Sequence, residues 1–277
     1  MSMRIVIGIL TTFLAAVVWA EAGTWAVYYS DEAPVEAFRP YRLLVLDSEH
    51  HPNLQRLADR GKTLLGYLSL GEVERTRPHF RELKADALLL AENPNWEGSY
   101  FIDLRDPRWT ARVVEDLIPE ILRQGFHGLF LDTLDNAAHL ERINPRKFKG
   151  MTLAAAVLVR TIRRHYPHTK IMLNRGYEIL PLVKKEVDMV LGESVYSDYS
   201  FEKKAYQLVP DDLFRQQVEL LKETKRSRPQ IRVFTLDYWN PTDSAMLEKI
   251  YRVERANGFE PYVATVELDR LVREPGK

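Results

Sequence analysis

The sequence predicts a (β/α)8 barrel, a ring of eight parallel strands with helices on the outside. Eight short runs recur that are mostly apolar throughout, as in parallel strands covered on both faces. Helical patterns lie between them, which is the alternation typical of a parallel barrel. Of the 277 residues, about 255 follow an apolar N-terminal segment at 1–22, close to the ~250 of one such domain.

The predicted strands and helices alternate along most of the chain. Gly61 and Gly125 follow the first two helical patterns, where a glycine commonly ends a helix. Asp211 and Asp243 suit the first turn or the cap of the last two. The predicted strands cover residues 25–29, 43–47, 63–69, 128–132, 170–174, 189–193, 232–238 and 261–265, and the helices residues 53–60, 110–124, 152–165, 211–225 and 243–257.

Residues 72–108 fit neither a strand nor a helix of the barrel and predict a long insertion after the third strand. They contain one further apolar run at 100–103, which we expect to form an extra strand. Loops of this length are usually functional or disordered. Trp96 within the insertion and Trp109 beside it favour a functional one.

The N-terminus has the pattern of a secretory signal peptide. Arg4 precedes an uncharged apolar run at 5–20, and Ala20-Glu21-Ala22 supplies a small-x-small cleavage site. The run is shorter than the ~20 residues that span a bilayer comfortably. We therefore expect cleavage after Ala22, residues 23–277 as one domain, and a secreted, periplasmic or cell-envelope protein. The alternative is an uncleaved N-terminal anchor.

Composition argues against several other classes of protein. The net charge is zero, whereas a general nucleic-acid binder usually carries a basic excess. The chain contains no cysteine, which excludes a lipoprotein. Adjacent His50 and His51 beside Asp47 and Glu49 suggest a metal, but neighbouring histidines rarely point at one ion. We expect a monomer without metal or organic cofactor, without nucleic-acid partners, and without membrane contact beyond the N-terminal segment.

Two acids, Asp132 and Glu193, each close a buried apolar run. An acid just past such a strand lies at the C-terminal rim of a barrel, where these folds place their chemistry. Two rim carboxylates are the minimum equipment for hydrolysing a glycosidic bond, one acting as the acid and the other as base or nucleophile. Any one of them alone could equally be a turn former or a helix cap.

Aromatic and polar residues at the other strand ends predict a sugar-binding cup. Aromatic faces stack on sugar rings, while carboxylates and amides pair with hydroxyls and amines. Asp47 and Asp237 have an alternative role, which is to orient Arg175 or a loop backbone. The predicted substrate-binding residues are Tyr28, Tyr29, Asp47, Tyr67, Glu72, Asn174, Arg175, Tyr196, Asp237 and Tyr238.

Several segments occur in the order seen in one known family, and the chain after the signal resembles it almost throughout. These segments are Tyr28-Tyr29, Leu46-Asp47-Ser48, Leu65-Gly66-Tyr67-Leu68-Ser69-Leu70-Gly71-Glu72, Asp103-Leu104-Arg105-Asp106-Pro107-Arg108-Trp109, Gly125-Phe126-His127-Gly128-Leu129-Phe130-Leu131-Asp132-Thr133-Leu134-Asp135, Asn174-Arg175-Gly176 and Glu193-Ser194. In this order they resemble glycoside hydrolase family 114, the endo-α-1,4-polygalactosaminidases and related biofilm-polysaccharide hydrolases. His127 departs from the pattern, which commonly has an acid there.

The resemblance implies a retaining mechanism with Asp132 as nucleophile and Glu193 as acid/base. It implies a polysaccharide substrate with galactosamine units, some cationic, that Asp47, Glu72 and Asp237 could pair with. We expect the two carboxyl groups to lie roughly 5–6 Å apart, the separation of a retaining pair. The alternatives are a glycosidase of this fold acting on another polymer, and a carbohydrate-binding barrel without turnover.

Overall fold

The computed structural model describes residues 24–276 and contains eight parallel strands that nearly close into a barrel. In hydrogen-bonded order the barrel strands are β1, β2, β3, β7, β8, β9, β12 and β13. In chain order the strands are β1 Thr24–Tyr28, β2 Tyr41–Leu46, β3 Thr63–Ser69, β4 Glu72–Glu74, β5 Leu89–Glu92, β6 Ser99–Ile102, β7 Gly128–Asp132, β8 Lys170–Asn174, β9 Met189–Glu193, β10 Ser197–Ser200, β11 Ala205–Leu208, β12 Arg232–Tyr238 and β13 Glu260–Ala264. The prediction of a (β/α)8 barrel is confirmed, and each predicted strand overlaps its counterpart. The predicted signal peptide lies outside the described residues.

Helices follow most barrel strands and cover the outside of the ring. They are α1 Leu54–Ala58, α2 Phe80–Ala85, α3 Pro107–Arg112, α4 Ile118–Arg123, α5 Asp135–Ile143, α6 Met151–His165, α7 Leu180–Val183, α8 Asp211–Ser227 and α9 Ser244–Ala256. Asn53 and Asp243 cap α1 and α9 with their side chains, bonding the amides of Arg56 and Met246.

The helix predicted at 110–124 is interrupted by one wide turn. A π-helical segment, Val113–Leu117, separates α3 from α4, and the Ile118 amide bonds the Val113 carbonyl five residues back. Pro119 follows directly. Proline has no N–H to continue the regular ladder and its ring crowds the preceding turn, so the helix widens there.

Contacts at both ends of the barrel link β1 to β13, the two outer strands of the eight-stranded sheet. Near the N-terminal end, the Trp25 indole N–H donates to the Glu260 carbonyl at 2.9 Å. Near the C-terminal end, the Tyr29 amide donates to the Leu268 carbonyl at 2.8 Å. Trp25 also packs edge-to-face on Phe234, with ring centroids 5.2 Å apart. Large apolar side chains such as Trp25 and Phe234 therefore fill the lower interior of the barrel.

The insertion after β3 is a small domain-like unit rather than a single extra strand. β4, β6 and β5 form an antiparallel sheet in that order, and α2 lies between β4 and β5. Trp109 anchors the end of the insertion. It is fully buried, and its indole N–H donates to the Leu70 carbonyl at 3.0 Å, just after β3.

No helix within residues 24–276 has both the length and the apolar content needed to cross a bilayer.

Replacing Trp109 with phenylalanine should destabilise the protein by about 1–3 kcal/mol. The change keeps an aromatic ring but leaves the buried Leu70 carbonyl without its donor. Urea unfolding followed by circular dichroism measures the free energy of unfolding. Trp96→Phe is the matched control, because Trp96 is 52% exposed and should tolerate the change. Equal losses in the two variants would contradict the anchoring role of the indole.

Candidate active site

Three neighbouring strands each end in a polar side chain that faces one cavity. Asp132 is the last residue of β7, Asn174 of β8 and Glu193 of β9. These strands pair side by side in the ring, so the three side chains lie next to one another at its C-terminal end. They line a cavity of about 620 Å³. This is the end at which barrel enzymes build their active sites.

The Asn174 amide nitrogen bridges the two carboxylates. It donates to Asp132 Oδ1 at 2.8 Å and to Glu193 Oε2 at 2.6 Å, using both of its hydrogens. Because the two bonds meet at one nitrogen, the oxygens they join are at most about 5.4 Å apart, the sum of the two lengths. One buried amide therefore fixes the relative position of both acids.

Three phenols surround the carboxylate pair and remain protonated. The Tyr238 hydroxyl donates to Glu193 Oε1 at 2.5 Å. Burial, followed by the charge of Glu193, raises the pKa of Tyr238 well above 10. Burial and then the charge of Asp132 likewise raise the pKa values of Tyr29 and Tyr67. All three hydroxyls can thus donate hydrogen bonds to a carboxylate or to a sugar oxygen.

The residue after each of these three strands adopts a left-handed backbone conformation. The φ angles are 64° at Thr133, 49° at Arg175 and 54° at Ser194. For residues other than glycine this conformation costs roughly 1–2 kcal/mol each. The chain turns away directly after each functional side chain, which leaves that side chain at the rim. Such strain is concentrated at active sites in many proteins.

Neighbouring backbone holds these strained turns in place. The Arg175 amide bonds the Leu191 carbonyl of β9, and the Ser194 amide bonds the Leu236 carbonyl of β12, both at 2.8 Å. At the third turn, the Thr133 hydroxyl accepts the Gly71 amide at 2.8 Å. A Cβ on Gly71 would lie 2.1 Å from the Thr133 carbonyl oxygen, so only glycine permits this approach.

The carboxylate pair does not ionise independently. Burial is the larger cause, and the charge of Glu193 the next, of the rise in the pKa of Asp132 to about 7; the Asn174 hydrogen bond opposes both. A negative charge on Glu193 therefore favours the protonated form of Asp132. One protonated and one ionised carboxyl is the state that a pair of glycosidase acids requires.

Comparison with known families identifies the family to which the chain belongs. The model of glycoside-hydrolase family GH114 matches residues 11–277. The chain belongs to family GH114. It is therefore a glycoside hydrolase, and the resemblance of its strand-end segments to this family is confirmed.

This GH114 chain is similar to other proteins over most of its length. An uncharacterized protein of Deinococcus radiodurans is 27% identical over 223 residues, covering 78% of this chain and 68% of that protein. The glycoside hydrolase domain of PelA from Pseudomonas aeruginosa superposes with a TM-score of 0.81 and 26% identity, covering 91% of this chain and 98% of that domain. Ega3 of Aspergillus fumigatus, solved in complex with galactosamine, shares the fold, with a TM-score of 0.67 and 15% identity over 91% of this chain and 94% of Ega3.

The cavity of this GH114 enzyme is strongly acidic. Its lining includes eight carboxylate side chains and one basic side chain, Arg175. Arg175 forms an ion pair with Asp135, N···O 3.5 Å, so its charge is already matched. The field inside the cavity therefore favours cationic or hydroxyl-rich ligands. The lining acids are Glu72, Glu74, Glu97, Asp132, Asp135, Glu193, Asp198 and Glu267.

Most residues predicted from the sequence do face this cavity. Tyr29, Tyr67, Glu72, Arg175 and Tyr238 line it together with the bridged trio. Glu72 accepts the side-chain amides of Asn93 and Asn136, at 2.8 and 2.9 Å. Its carboxylate therefore joins the insertion to the start of α5, at the edge of the cavity.

Asp47 lies in an adjoining cavity of about 250 Å³ that shares the Tyr29 and Tyr67 rings with the main one. Its carboxylate pairs with Arg77, N···O 2.7 Å, and accepts the amides of Glu49 and His50. Although burial acts in the opposite direction, these contacts lower the pKa of Asp47. Asp47 thus orders the backbone of the loop at 49–50, which is the alternative role considered for it in the sequence analysis.

Three predicted substrate-binding residues lie away from the cavity, and those predictions are corrected here. Tyr28 is 1% exposed, packs against Phe38 and accepts the Ala33 amide with its hydroxyl. Tyr196 packs against Phe214 on the outer side of the barrel.

Asp237 is fully buried and accepts the amides of Tyr196 and Ser197, at 2.7 and 2.8 Å. The alternation of side chains along β12 explains the placement of Asp237. Leu236 and Tyr238 face the cavity, so Asp237 between them points outward.

Sequence reasoning missed the β10–β11 hairpin, which contributes Asp198, Tyr199 and Phe201 to the cavity. Residues 197–200 read Ser-Asp-Tyr-Ser and contain a single aromatic residue, so their pattern gave little indication of a half-buried strand. His127, where the chain departs from the family pattern, lies at the start of β7 and accepts the Leu64 amide. It is at the opposite end of that strand from Asp132.

Among residues 24–276, no group of three or more histidine, aspartate or glutamate side chains is arranged to hold a metal ion. The two adjacent histidines have separate surroundings. His51 contacts Gln124 Oε1 at 2.9 Å and packs edge-to-face on Phe126, while the backbone amide of His50 bonds Asp47.

Glu254→Gln should flatten the dependence of stability on pH. Burial, and then the charge of Asp237, raises the pKa of Glu254 to about 9. A raised carboxyl pKa means that its contribution to stability is fully present below the ordinary pKa of about 4.5 and is lost as the pH rises through about 9. Free energies of unfolding from pH 5 to 9 should therefore fall less in the variant than in the wild type. Glu248→Gln, exposed on the same helix, is the control. Parallel profiles for all three proteins would contradict the assignment.

Proposed function

We propose that the protein is a retaining endo-glycosidase that cleaves α-1,4 linkages in a galactosamine-rich, partly deacetylated polysaccharide. The observation that carries the proposal is the bridged carboxylate pair, Asp132 and Glu193, at the base of an acidic cavity. Family membership supplies the reaction class. The geometry of the pair and the charge of the cavity support the finer statements.

The short separation supports retention over inversion. The two bridged oxygens lie within about 5.4 Å of each other, the sum of two bonds to Asn174. Retaining glycosidases keep their carboxyl groups roughly 5–5.5 Å apart, whereas inverting enzymes leave about 6.5–9.5 Å for a water molecule between acid and base. A carboxylate held this close attacks the sugar directly.

In the proposed reaction Asp132 is the nucleophile and Glu193 the acid and base, as the family resemblance implies. Asp132 attacks the anomeric carbon while Glu193 protonates the departing glycosidic oxygen. Glu193 then takes a proton from water, which attacks the same carbon and releases Asp132. The first step requires an ionised Asp132. Burial and the charge of Glu193 oppose that form, whereas the Asn174 hydrogen bond favours it.

The charge of the cavity supports an amine-bearing substrate. Eight acids against one paired arginine create a field that attracts ammonium groups, which free galactosamine units carry and acetylated units lack. The fold shared with Ega3, whose structure contains galactosamine, is in keeping with the same class of sugar, and the similarity to the PelA domain supports hydrolysis of a glycosidic bond.

We also propose that the protein acts outside the cytoplasm, after cleavage between Ala22 and Gly23. The support is the sequence pattern of residues 1–22 together with a polymeric substrate. The mass of the protein exported by the producing cells tests it. A mature chain that begins at Gly23 is expected, and a full-length chain retained in cells would contradict cleavage.

Asp132→Asn and Glu193→Gln should each abolish hydrolysis while leaving the fold intact. The first variant removes the nucleophile and the second the proton donor. Release of reducing ends from partly deacetylated polygalactosamine measures the activity, and circular dichroism checks the fold. Asp212→Asn, an exposed acid on α8, is the control and should retain full activity. Substantial turnover by either active-site variant would disprove its role. Binding without cleavage by the wild type would favour a carbohydrate-binding barrel.

Acetylation of the polymer should weaken its binding. Removing positive charges from the substrate removes their attraction to the lining acids, so KM should rise with the degree of acetylation and with ionic strength. Initial rates on polymers of matched length but graded acetylation measure this. A KM that is independent of both would show that the enzyme acts on neutral units, or on another polymer.

A further inference from the structure

Two large aromatic side chains are exposed at the mouth of the cavity. Trp96 is 52% exposed and Phe201 is 55% exposed, and both line the same cavity as Asp132 and Glu193. Their rings contact each other edge-to-face, with centroids 5.0 Å apart. Exposed apolar surface beside a binding cavity commonly marks a place where a ligand or partner binds.

The two rings belong to separate excursions from the barrel. Trp96 lies between β5 and β6 in the insertion that follows β3, and Phe201 lies in the turn between β10 and β11, which follows β9. In the ring, β7 and β8 separate β3 from β9. The contact therefore spans the side of the mouth that belongs to the strands carrying Asp132 and Asn174.

A row of rings supports this contact from behind. Tyr199 packs edge-to-face on Phe201 at 5.2 Å and on Tyr206 at 5.1 Å. Tyr206 in turn lies 6.1 Å from Trp239, just after β12. The hairpin thus packs against one side of the Phe201 ring, and 55% of Phe201 remains exposed to solvent.

We propose that Trp96, Tyr199 and Phe201, here called the aromatic bracket, form an outer subsite that binds a sugar unit of the polymer away from the bond being cleaved. This inference rests on the proposed function and deepens it. The apolar C–H face of a pyranose ring covers aromatic surface that is otherwise hydrated. A protonated amine on the sugar is attracted to the ring faces and to Glu97, which lines the cavity beside Trp96.

A purely structural role is the competing explanation, since the bracket also connects the two excursions. Both contacting rings are more than half exposed, so they bury little area against each other. Removing either ring therefore changes stability only slightly. Loss of binding to long chains with an unchanged melting temperature separates a subsite from a structural contact.

The test uses oligosaccharides of α-1,4-linked galactosamine of increasing length. Binding is measured by calorimetry in a Glu193→Gln background, and KM and kcat are measured in the active enzyme. Trp96→Ala and Phe201→Ala should each weaken binding of long oligomers roughly tenfold, about 1.4 kcal/mol. Binding of the shortest oligomers, and kcat, should stay unchanged. Phe201→Tyr should behave as the wild type, whereas Phe201→Leu, which keeps apolar volume without a ring, should behave as alanine.

Leu153→Ala is the matched control, because Leu153 is 58% exposed on α6 and does not line this cavity. Equal binding by all variants at every length would overturn the subsite while leaving the proposed hydrolysis standing. If Trp96→Ala and Phe201→Ala lose binding to long oligomers but the wild type cleaves none of them, the hydrolysis would be refuted and the subsite would stand. Absence of binding at every length, in every protein, would overturn both.

Discussion

The active site depends on one side-chain amide, that of Asn174. Its two hydrogens hold the carboxylates of Asp132 and Glu193 at 2.8 and 2.6 Å, and Asn174 itself is only 4% exposed. Without such a donor, two buried acids would repel one another and separate. The amide sets their distance and satisfies one oxygen of each.

The strand order of the barrel places this amide between the two acids, and hydrogen bonds to neighbouring backbone hold the strained turns around it. Left-handed residues after β7, β8 and β9 end the three strands abruptly, and bonds to adjoining backbone retain each turn. The turn at Thr133 also constrains the start of the insertion. Gly71, directly before β4, lies so close to the Thr133 carbonyl that no larger residue would fit. Insertion and hairpin then extend from β3 and β9 and enclose the mouth with acids and exposed rings. The carboxylate pair and the proposed substrate-binding surface are therefore both built on the C-terminal ends of β3, β7, β8 and β9.

The barrel and its two principal acids could be predicted from sequence because both follow from local pattern. Apolar runs such as 128–132 and 189–193 place Asp132 and Glu193 at the ends of strands. The direction of Asp237 could have been predicted as well, since Leu236 and Tyr238 on either side take the inward positions. The left-handed turns could not, because threonine, arginine and serine have no intrinsic preference for that conformation. The contact of Trp96 with Phe201 joins residues far apart in sequence, and only the folded barrel brings them together.

The stereochemistry of the first sugar released tests the account most directly. Proton NMR, recorded during the first minutes of cleavage of an α-1,4-linked galactosamine oligomer, distinguishes the α from the β anomer before they equilibrate. Because Asn174 keeps the two acids too close for a water molecule to act between them, the account predicts the α anomer as the initial product. Initial formation of the β anomer would show that water attacks directly. That result would contradict the assignment of Asp132 as a nucleophile held beside Glu193.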